Sequence, residues 1–353
     1  MPIGVGILGF AHGHVNSYCT KWLENKKWGV VPIAGWDHQA GRLQEAVDKY
    51  GIEACVTPEA LLSQDGIDAV VVSAETSHHA DLVEKAAAAG KTIILQKPMA
   101  LTMADADRIV KAVRNAGVRF TMAWQMRVDP QNIKMKELLQ GGDFGRVFMV
   151  RRRHGLTTHR WSGFADTWHV DPAANRDIWA DDTSHAVDFI HWLLGVPDSV
   201  TAEIDTLYTP KVPNDNGIAI FRYKKGPIAE VTSSFTCAAG ENTTEIIAEN
   251  GSIIQNFGDG PSCNVPRPDG GIGLKWLVGD ADHWTISDIA TPPNHGHRIA
   301  GLAEPLAAFL RGERDAIATA EEGQTTLRMV LATYVSNTKG CRVNLDDPDI
   351  ENV

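Results

Sequence analysis

The spacing of apolar runs in the first third of the chain constrains its fold most. Ile3 to Leu8, Val30 to Gly35, Asp68 to Ser73, Thr92 to Leu95 and Val118 to Ala123 are short and continuously apolar, as strands buried on both faces should be. Helical stretches separate them. One begins at about Val15, one runs to Tyr50, one is opened by Glu75-Thr76-Ser77-His78-His79 and closed at Gly90, and one runs from Thr102 with Asp105 to about Ala116. Strand alternating with helix predicts a parallel, doubly wound α/β sheet.

In such a sheet ligands gather at the carboxyl ends of the strands, and three of those ends carry chemistry. The first strand runs into Gly9-Phe10-Ala11-His12-Gly13-His14 and then a helix. That order suits a dinucleotide fingerprint, with a glycine for the tight turn and helix N–H groups for a pyrophosphate. Ala11 stands where a second glycine belongs and Gly13 leaves the third out of register, so a plain strand–turn–helix connection stays open. The second strand ends at Trp36-Asp37. A carboxylate roughly 25 residues past the turn suits ribose hydroxyls and repels the extra phosphate of NADP. Arg42 lies five residues on, inside the helix, so NAD is preferred over NADP; Asp37 could also cap that helix. Thr92 to Leu95 runs into Gln96-Lys97-Pro98, where proline ends the ladder and leaves a lysine at the strand end. A solvated loop lysine is the alternative. His78 and His79 have no acidic or cysteine partner at ligand spacing, so no metal is expected.

The 353 residues allow two domains, each with its own core. A formal net charge of −11 argues against nucleic acid or an anionic membrane as partner. Cys19, Cys55, Cys237, Cys263 and Cys341 are scattered, which fits a reducing compartment. The chain enters a strand at once and holds no apolar run of membrane-spanning length, so the expected setting is cytoplasmic.

Beyond Trp124 to Pro130 the pattern changes. A helix from Gln131 to Leu139 and a glycine turn (Gly141 to Gly145) lead into successive strands: Val147 to His154, Ser199 to Asp205, Gly217 to Tyr223, Ile228 to Phe235 and Thr244 to Ala248. Consecutive strands predict an α+β domain with a large, mostly antiparallel sheet. A Pro/Gly-rich loop is expected from Asn256 to Gly273, and the tail (Ala300 to Leu310, Glu321 to Thr338) is helical by its apolar spacing. The expected domains are 1–124 and 125–353, with the C-terminal segment free to pack back on the first. The helix from Ala180 to Gly195 starts with acidic capping residues. It puts Asp181, His185 and Asp188 at i, i+4 and i+7 on one face. A carboxylate one turn from an imidazole can orient it and stabilise its protonated form, as a general base needs. A helix cap plus a core-edge histidine is the alternative, and Asp188 reads as mainly structural.

With these residues in hand, the chain resembles the Gfo/Idh/MocA oxidoreductase family. Gln96-Lys97-Pro98 resembles its Glu-Lys-Pro segment, and Asp181-x-x-x-His185-x-x-Asp188 its Asp-x-x-x-His-x-x-Asp helix. Arg127-Val-Asp-Pro130 followed by Gly141-Gly142-x-x-Gly145-x-Val147 resembles its domain crossover. His79 matches the histidine opening its fourth helix, and Glu304 to Leu310 with Glu321 to Asn337 its C-terminal helices. The resemblance implies a Rossmann domain followed by a domain with an open-faced sheet, a nicotinamide cofactor, and homodimers or homotetramers through that sheet. It makes Lys97 the contact to nicotinamide ribose and reacting hydroxyl, and His185 the general base helped by Asp181. Three departures stand out. Gln96 replaces a glutamate, removing a negative charge beside Lys97 and so favouring a lower lysine pKa. Glu75-Thr76 replaces Pro-Asn, and His12 and His14 interrupt the glycine fingerprint.

The expected cofactor contacts are Gly9, Phe10, Ala11, His12, Gly13, His14, Asp37, His38, Ser73, Glu75, Thr76, His79, Gln96, Lys97 and Arg127. The expected substrate contacts are Lys97, Gln125, His154, Arg160, Trp161, His169, Asn175, Asp181 and His185. The loop from Leu156 to Asn175, with Arg160-Trp161 and Trp168-His169, mixes aromatic and polar groups as a polyhydroxylated ring requires. Arg152 to Arg160 could instead hold an anionic group. On strand spacing Arg151 and Arg153 share one face and Arg152 and His154 the other, so some of them could serve an oligomer interface. Trp22, Trp28 and Trp192 read as packing. The expected activity is NAD-dependent hydride transfer at a secondary hydroxyl or ketone of a sugar, sugar acid, polyol or glycoside. The alternatives are a glycosidase that transiently oxidises its sugar and a non-catalytic nucleotide-binding sensor.

Overall fold

The alternation read from the sequence becomes a six-stranded parallel sheet in the computed structural model, which describes all residues except 257–263 and 267–268. Its elements are β1 (Ile3–Leu8), α1 (His14–Glu24), β2 (Val30–Trp36), α2 (Ala40–Tyr50), β3 (Glu53–Ala54), α3 (Pro58–Leu62), β4 (Ala69–Val72), α4 (His79–Ala88), β5 (Thr92–Leu95), α5 (Met103–Ala116) and β6 (Phe120–Met122). The strand order is β3-β2-β1-β4-β5-β6, all parallel. Right-handed crossovers leading away from β1 in one direction and from β4 in the other put helices on both faces. That is why β4 and β5 need no polar side: Val70, Val71, Val72, Ile93, Ile94 and Leu95 are all fully buried. Each contributes about 1.5–3 kcal/mol of transfer free energy. Thr102 caps α5, its hydroxyl accepting from the Asp105 N–H at 3.1 Å. Gly117, just past the last turn, takes the positive φ of 65° that ends the helix.

The first unit comprises 1–125 together with 173–175 and 299–327; the second comprises 126–172, 176–298 and 328–353. The sequence beyond the crossover is therefore shared between the two units rather than forming one continuous domain. In the first unit α9 (Ala303–Leu310), which follows the short α8 (His295–Ala300) in sequence, accepts the Trp22 indole N–H at the Ala303 carbonyl, 2.8 Å. Trp22 is thus a packing residue, as its sequence context suggests.

The second unit is built on β7 (Val147–Gly155), β8 (Ser199–Asp205), β9 (Asn216–Arg222), β10 (Ile228–Ser234), β11 (Asn242–Ala248), β12 (Gly251–Gln255), β13 (Leu274–Val278), β14 (Thr285–Ile286) and β15 (Val343–Asn344). They form one nine-stranded sheet in the order β14-β13-β12-β11-β7-β10-β9-β8-β15. β7 and β10 pair in parallel and the other neighbours are antiparallel. The unit also holds α6 (Pro130–Gln140) and α7 (Ser184–Leu194), and it shares α10 (Ala320–Lys339) with the first. The expected loop from Asn256 to Gly273 lies partly outside the described residues, as does Cys263.

Period-two alternation sorts the arginine run as predicted. Val150, Arg152 and His154 point inward from β7, while Met149, Arg151 and Arg153 point out. On the outer face Arg151 lies between Glu230 of β10 and Glu245 of β11, at 3.4 and 3.1 Å. On the inner face Trp179 packs against the backbone of β9. A Cβ at Gly217 would meet its ring at 2.5 Å and the Glu203 carbonyl at 2.8 Å, so only glycine fits there. Among the described residues no helix is long and apolar enough to cross a membrane.

Candidate active site

The strand order reverses between β1 and β4, which opens a crevice beyond their carboxyl ends. Gly9 makes the turn there with φ of 90°, and a Cβ on it would sit 2.4 Å from the Ala74 backbone. Ser73 holds the turn from β4: its hydroxyl donates to the Gly9 carbonyl at 2.5 Å, and its own carbonyl accepts the His12 N–H at 2.9 Å. Beside Gly13 the space is open, with no atom within 4 Å of a built Cβ. The glycine spacing is irregular, but the tight turn and the clear approach to the start of α1 are both present.

Asp37 departs from the expectation of a carboxylate held ready for ribose. One oxygen accepts the Phe10 N–H (2.7 Å) and Arg42 Nε (3.0 Å); the other accepts the Gln39 N–H (2.7 Å) and Arg42 Nη2 (2.9 Å). Those four donors fill the carboxylate's acceptor sites. Arg42 also donates to Glu75 Oε1 at 2.8 Å. Burial alone would lower its pKa, but the bonds to Asp37 and then Glu75 hold the guanidinium above its ordinary value. The expectation that Arg42 stays out of this corner is therefore corrected: five residues along, on the first turn of α2, it folds back onto the strand end. The reasoning that denied His78 a metal-binding partner fails as well. Glu75 and the exposed His38 both face it, the Glu75 Oε2–His38 Nδ1 distance being 3.6 Å.

Around the lysine, Gln96 and Lys97 are both buried and the Lys97–Pro98 peptide is cis. Gln96 donates to the Tyr18 hydroxyl at 2.8 Å. His79 was expected at the cofactor. Its Nδ1 lies 3.0 Å from the Pro98 carbonyl and 3.2 Å from that of Met99, and its Nε2 is 3.2 Å from that of Ala74. A fully buried ring with both nitrogens on main-chain carbonyls holds the lysine loop in place, and that corrects the assignment. Burial pushes its pKa down to about 4, against the opposing pull of those carbonyls. Thr76 and Asn175, assigned to cofactor and substrate respectively, are both buried and hydrogen-bond to each other. Gln125 is fully buried, and neither its amide oxygen nor its nitrogen has a hydrogen-bond partner among the described residues. Such a group is costly unless a ligand or water meets it.

In the second unit Arg127, also expected at the cofactor, forms a fork with Asp188 (Nε–Oδ2 2.9 Å, Nη2–Oδ1 2.8 Å), both residues buried. This ties the start of the unit to α7 and gives Asp188 its structural role. The acidic start of α7 is a π-type turn over Trp179–Thr183, with no side-chain cap bond at its N-cap Ile178 or at Thr183 before α7, so the expected acidic cap is replaced. Turns of this kind recur at functional sites. Spacing pairs Asp181 with His185. The structure gives Asp181 a partner that spacing does not reveal: its Oδ2 lies 2.7 Å from His169 Nδ1. Asp182, three residues before His185, brings Oδ1 to 3.6 Å from His185 Nε2, and its Oδ2 is 2.7 Å from His154 Nε2. One carboxylate thus hydrogen-bonds His154 and lies within ion-pair range of His185. Asp182 is the carboxylate next to His185 that helical spacing did not single out, and its signal was the adjacent acidic pair Asp181-Asp182.

His169 stacks on Trp168 and Phe164, while Trp161 and Arg160 are exposed. Arg152 cannot serve an exposed anion. It is buried over the Phe189 ring and donates to Thr244 at 2.6 Å and Gln255 at 3.0 Å. Burial, then Arg298, push its guanidinium down to about 9, with Asp129 opposing.

Residues 3–124 match the family model of an oxidoreductase family with an NAD-binding Rossmann fold, and residues 132–254 match the GFO/IDH/MocA C-terminal domain. The chain belongs to the Gfo/Idh/MocA family of oxidoreductases. Its first unit is accordingly an NAD-binding domain, and the glycine turn and the open space before α1 fit that cofactor. An inositol 2-dehydrogenase of Salmonella typhimurium is 30% identical over 197 residues. The chain spans only about 55% of that relative's length, with 55% of its own. A 1,5-anhydro-D-fructose reductase of Ensifer adhaerens is 27% identical over 299 residues, 82% of this chain and 84% of the relative. Among solved structures, a levoglucosan dehydrogenase in complex with NADH superposes with a TM-score of 0.81 at 18% identity, over 98% of this chain and 99% of the other. That last likeness concerns the Gfo/Idh/MocA fold alone.

Proposed function

We propose that this protein is an NAD-dependent dehydrogenase or reductase acting on a secondary hydroxyl or ketone of a sugar, sugar acid, polyol or glycoside. The observation that carries the reading is the buried His185 beside the Asp182 carboxylate, with His154 on its other oxygen. An imidazole backed by a carboxylate is a proton acceptor whose charged form is stabilised when it takes a hydroxyl proton. The names of the similar proteins, an inositol dehydrogenase and an anhydrofructose reductase, support a polyhydroxylated substrate.

Bound NAD supplies the hydride acceptor. The rest of the work falls to side chains. Lys97 binds and polarises the reacting hydroxyl and contacts the nicotinamide ribose. His185 takes the proton, and the nearby Asp182 carboxylate stabilises the charge it gains. His169, fixed by Asp181, bonds a further hydroxyl, and exposed Arg160 and Trp161 offer a donor fork and an apolar face to the ring. Gln125 meets ligand with its two amide atoms, which have no hydrogen-bond partner among the described residues. Asp37 and Glu75 outnumber Arg42 by one charge, which favours NAD over NADP. The outer sheet face, with Met149, Ile220, Ile228 and Ile247 exposed around the Glu230–Arg151–Glu245 row, suits pairing with a second copy of the chain.

The test follows reduced-nicotinamide absorbance when purified protein meets NAD and pooled polyols, sugars, sugar acids and glycosides. Turnover by the wild type is expected. In His185→Asn it should fall by about 10²–10⁴, with NAD affinity retained. Wild-type NAD binding without turnover on any pool would defeat the dehydrogenase reading. Glycoside cleavage with no net NADH would instead select a glycosidase that recycles its cofactor.

A further inference from the structure

Three metal-ligating side chains meet where β2 and β4 end. One ring nitrogen each from His38 and His78 and one carboxylate oxygen of Glu75 all lie within 4.8 Å of one another. Glu75 is buried, yet only one of its oxygens is used: Arg42 takes Oε1, and Oε2 has no hydrogen-bond partner among the described residues. A buried carboxylate oxygen without a donor is expensive and needs a cation or a donor to offset the cost. His38 Nδ1 lies 3.6 Å from it, beyond hydrogen-bond reach. The charge balance also suits a cation, since Asp37 and Glu75 share the single guanidinium of Arg42.

We propose that His38, Glu75 and His78 form a binding site for a transition-metal dication of the zinc class, and that metal held there competes with the adenosine end of NAD. Two imidazoles and a carboxylate are the ligand set zinc accepts, with a fourth position left to water. Bonds of about 2.0–2.1 Å in a tetrahedron need donors about 3.4 Å apart. The set must therefore close by up to about 1.4 Å, a movement to which rotation of the exposed His38 contributes. Imidazole nitrogens select against magnesium and calcium, which prefer oxygen donors. Neither histidine is close to the other in sequence, and only the β2 and β4 ends of the parallel sheet bring them together. His38 and Glu75 flank Asp37 in the corner assigned to the ribose, so metal and nucleotide would claim the same groups. The metal binding rests on these residues alone; the competition rests on the function proposed above.

Zn²⁺ alone is titrated into purified, metal-stripped protein by calorimetry, and NAD affinity is then measured with and without saturating Zn²⁺. One Zn²⁺ per chain is expected, with NAD weakened when it is bound. His78→Ala, which lies outside the groups assigned to NAD, should lose at least roughly tenfold in Zn²⁺ affinity. It should keep wild-type NAD affinity in metal-free buffer. His38→Ala, at an exposed position, serves as a second variant with the same expected loss of Zn²⁺ binding. Wild-type Zn²⁺ affinity in both variants, or Mg²⁺ binding as tightly as Zn²⁺, overturns the site. One bound Zn²⁺ with NAD affinity unchanged overturns the competition. Zn²⁺ uptake that both variants lose, in a protein that binds no NAD at all, supports the metal site and counts against the proposed function.

Discussion

Each oxygen of Asp37 accepts two donors, so its place in cofactor choice is inseparable from Arg42. The guanidinium is held by charge-assisted bonds worth about 1.5–3 kcal/mol each. Releasing it from Asp37 leaves a guanidinium held by Glu75 alone, with its remaining donors turned toward the position of a 2′-phosphate. Asp37→Ser is therefore expected to move the ratio of kcat/KM for NADP over NAD upward by about 10–100-fold, read from initial rates with the two cofactors. An unchanged ratio would remove both residues from cofactor selection. His79 carries a different consequence. Its folded pKa of about 4 lies below its ordinary value of 6.5, so the unfolded chain binds the proton more readily. The stability this depression confers is complete above pH 6.5 and is lost as pH falls through 4. Two and a half units correspond to about 3 kcal/mol. The urea midpoint of the first unit should fall between pH 7 and 4, and in His79→Gln that part of the fall should be absent. Equal pH dependence in both proteins would show that His79 is not kept neutral. Sequence reading singled out Asp37 and His79, but the Arg42 bonds of the one and the main-chain carbonyl partners of the other are tertiary facts.

At the scale of elements, the turn from Trp179 to Thr183 sets which carboxylates lie beside the imidazole of α7. The expected pairing of Asp181 with His185 assumes α-helical spacing from Ala180 onward, but residues at i−3 and i−4 both neighbour a helical side chain. Partners from elsewhere break the tie: His169 engages Asp181, and His154 of β7 engages Asp182. The turn is anchored from below by the Asp177 carboxylate, which accepts the Ala180 N–H at 2.9 Å, Asn214 at 2.7 Å and the Tyr334 hydroxyl at 2.5 Å. Burial raises the Asp177 carboxyl above its usual range, and these three donors oppose the rise. A negative Asp182 favours the protonated form of His185, and removing that charge disfavours it. The acidic limb of the kcat profile for alcohol oxidation should thus move to lower pH in Asp182→Asn. A profile superimposable on the wild type would separate Asp182 from the proton acceptor.

For the molecule as a whole, the outer face of the nine-stranded sheet carries the testable consequence. Met149, Ile220, Ile228 and Ile247 are exposed on strands whose other side is mostly buried. The Glu230–Arg151–Glu245 row supplies charges of both signs, as a face meeting its own copy needs. Sedimentation velocity should show an oligomer that Ile228→Glu dissociates while the far-UV spectrum stays unchanged. A wild-type monomer at micromolar concentration would end that reading.

The parallel sheet and the mostly antiparallel sheet after it were legible in local sequence, because two-sided burial writes itself as continuous apolar runs and one-sided burial as alternation. So were Lys97 at the end of β5 and the division of the arginine run between two faces. Arg42 on Asp37, the His38–Glu75–His78 cluster, Asp182 between His154 and His185, and Arg127 on Asp188 could not be read that way. Each joins residues that are distant along the chain or brought together by a non-α turn, and such pairings depend on which strand ends and helix faces packing brings together.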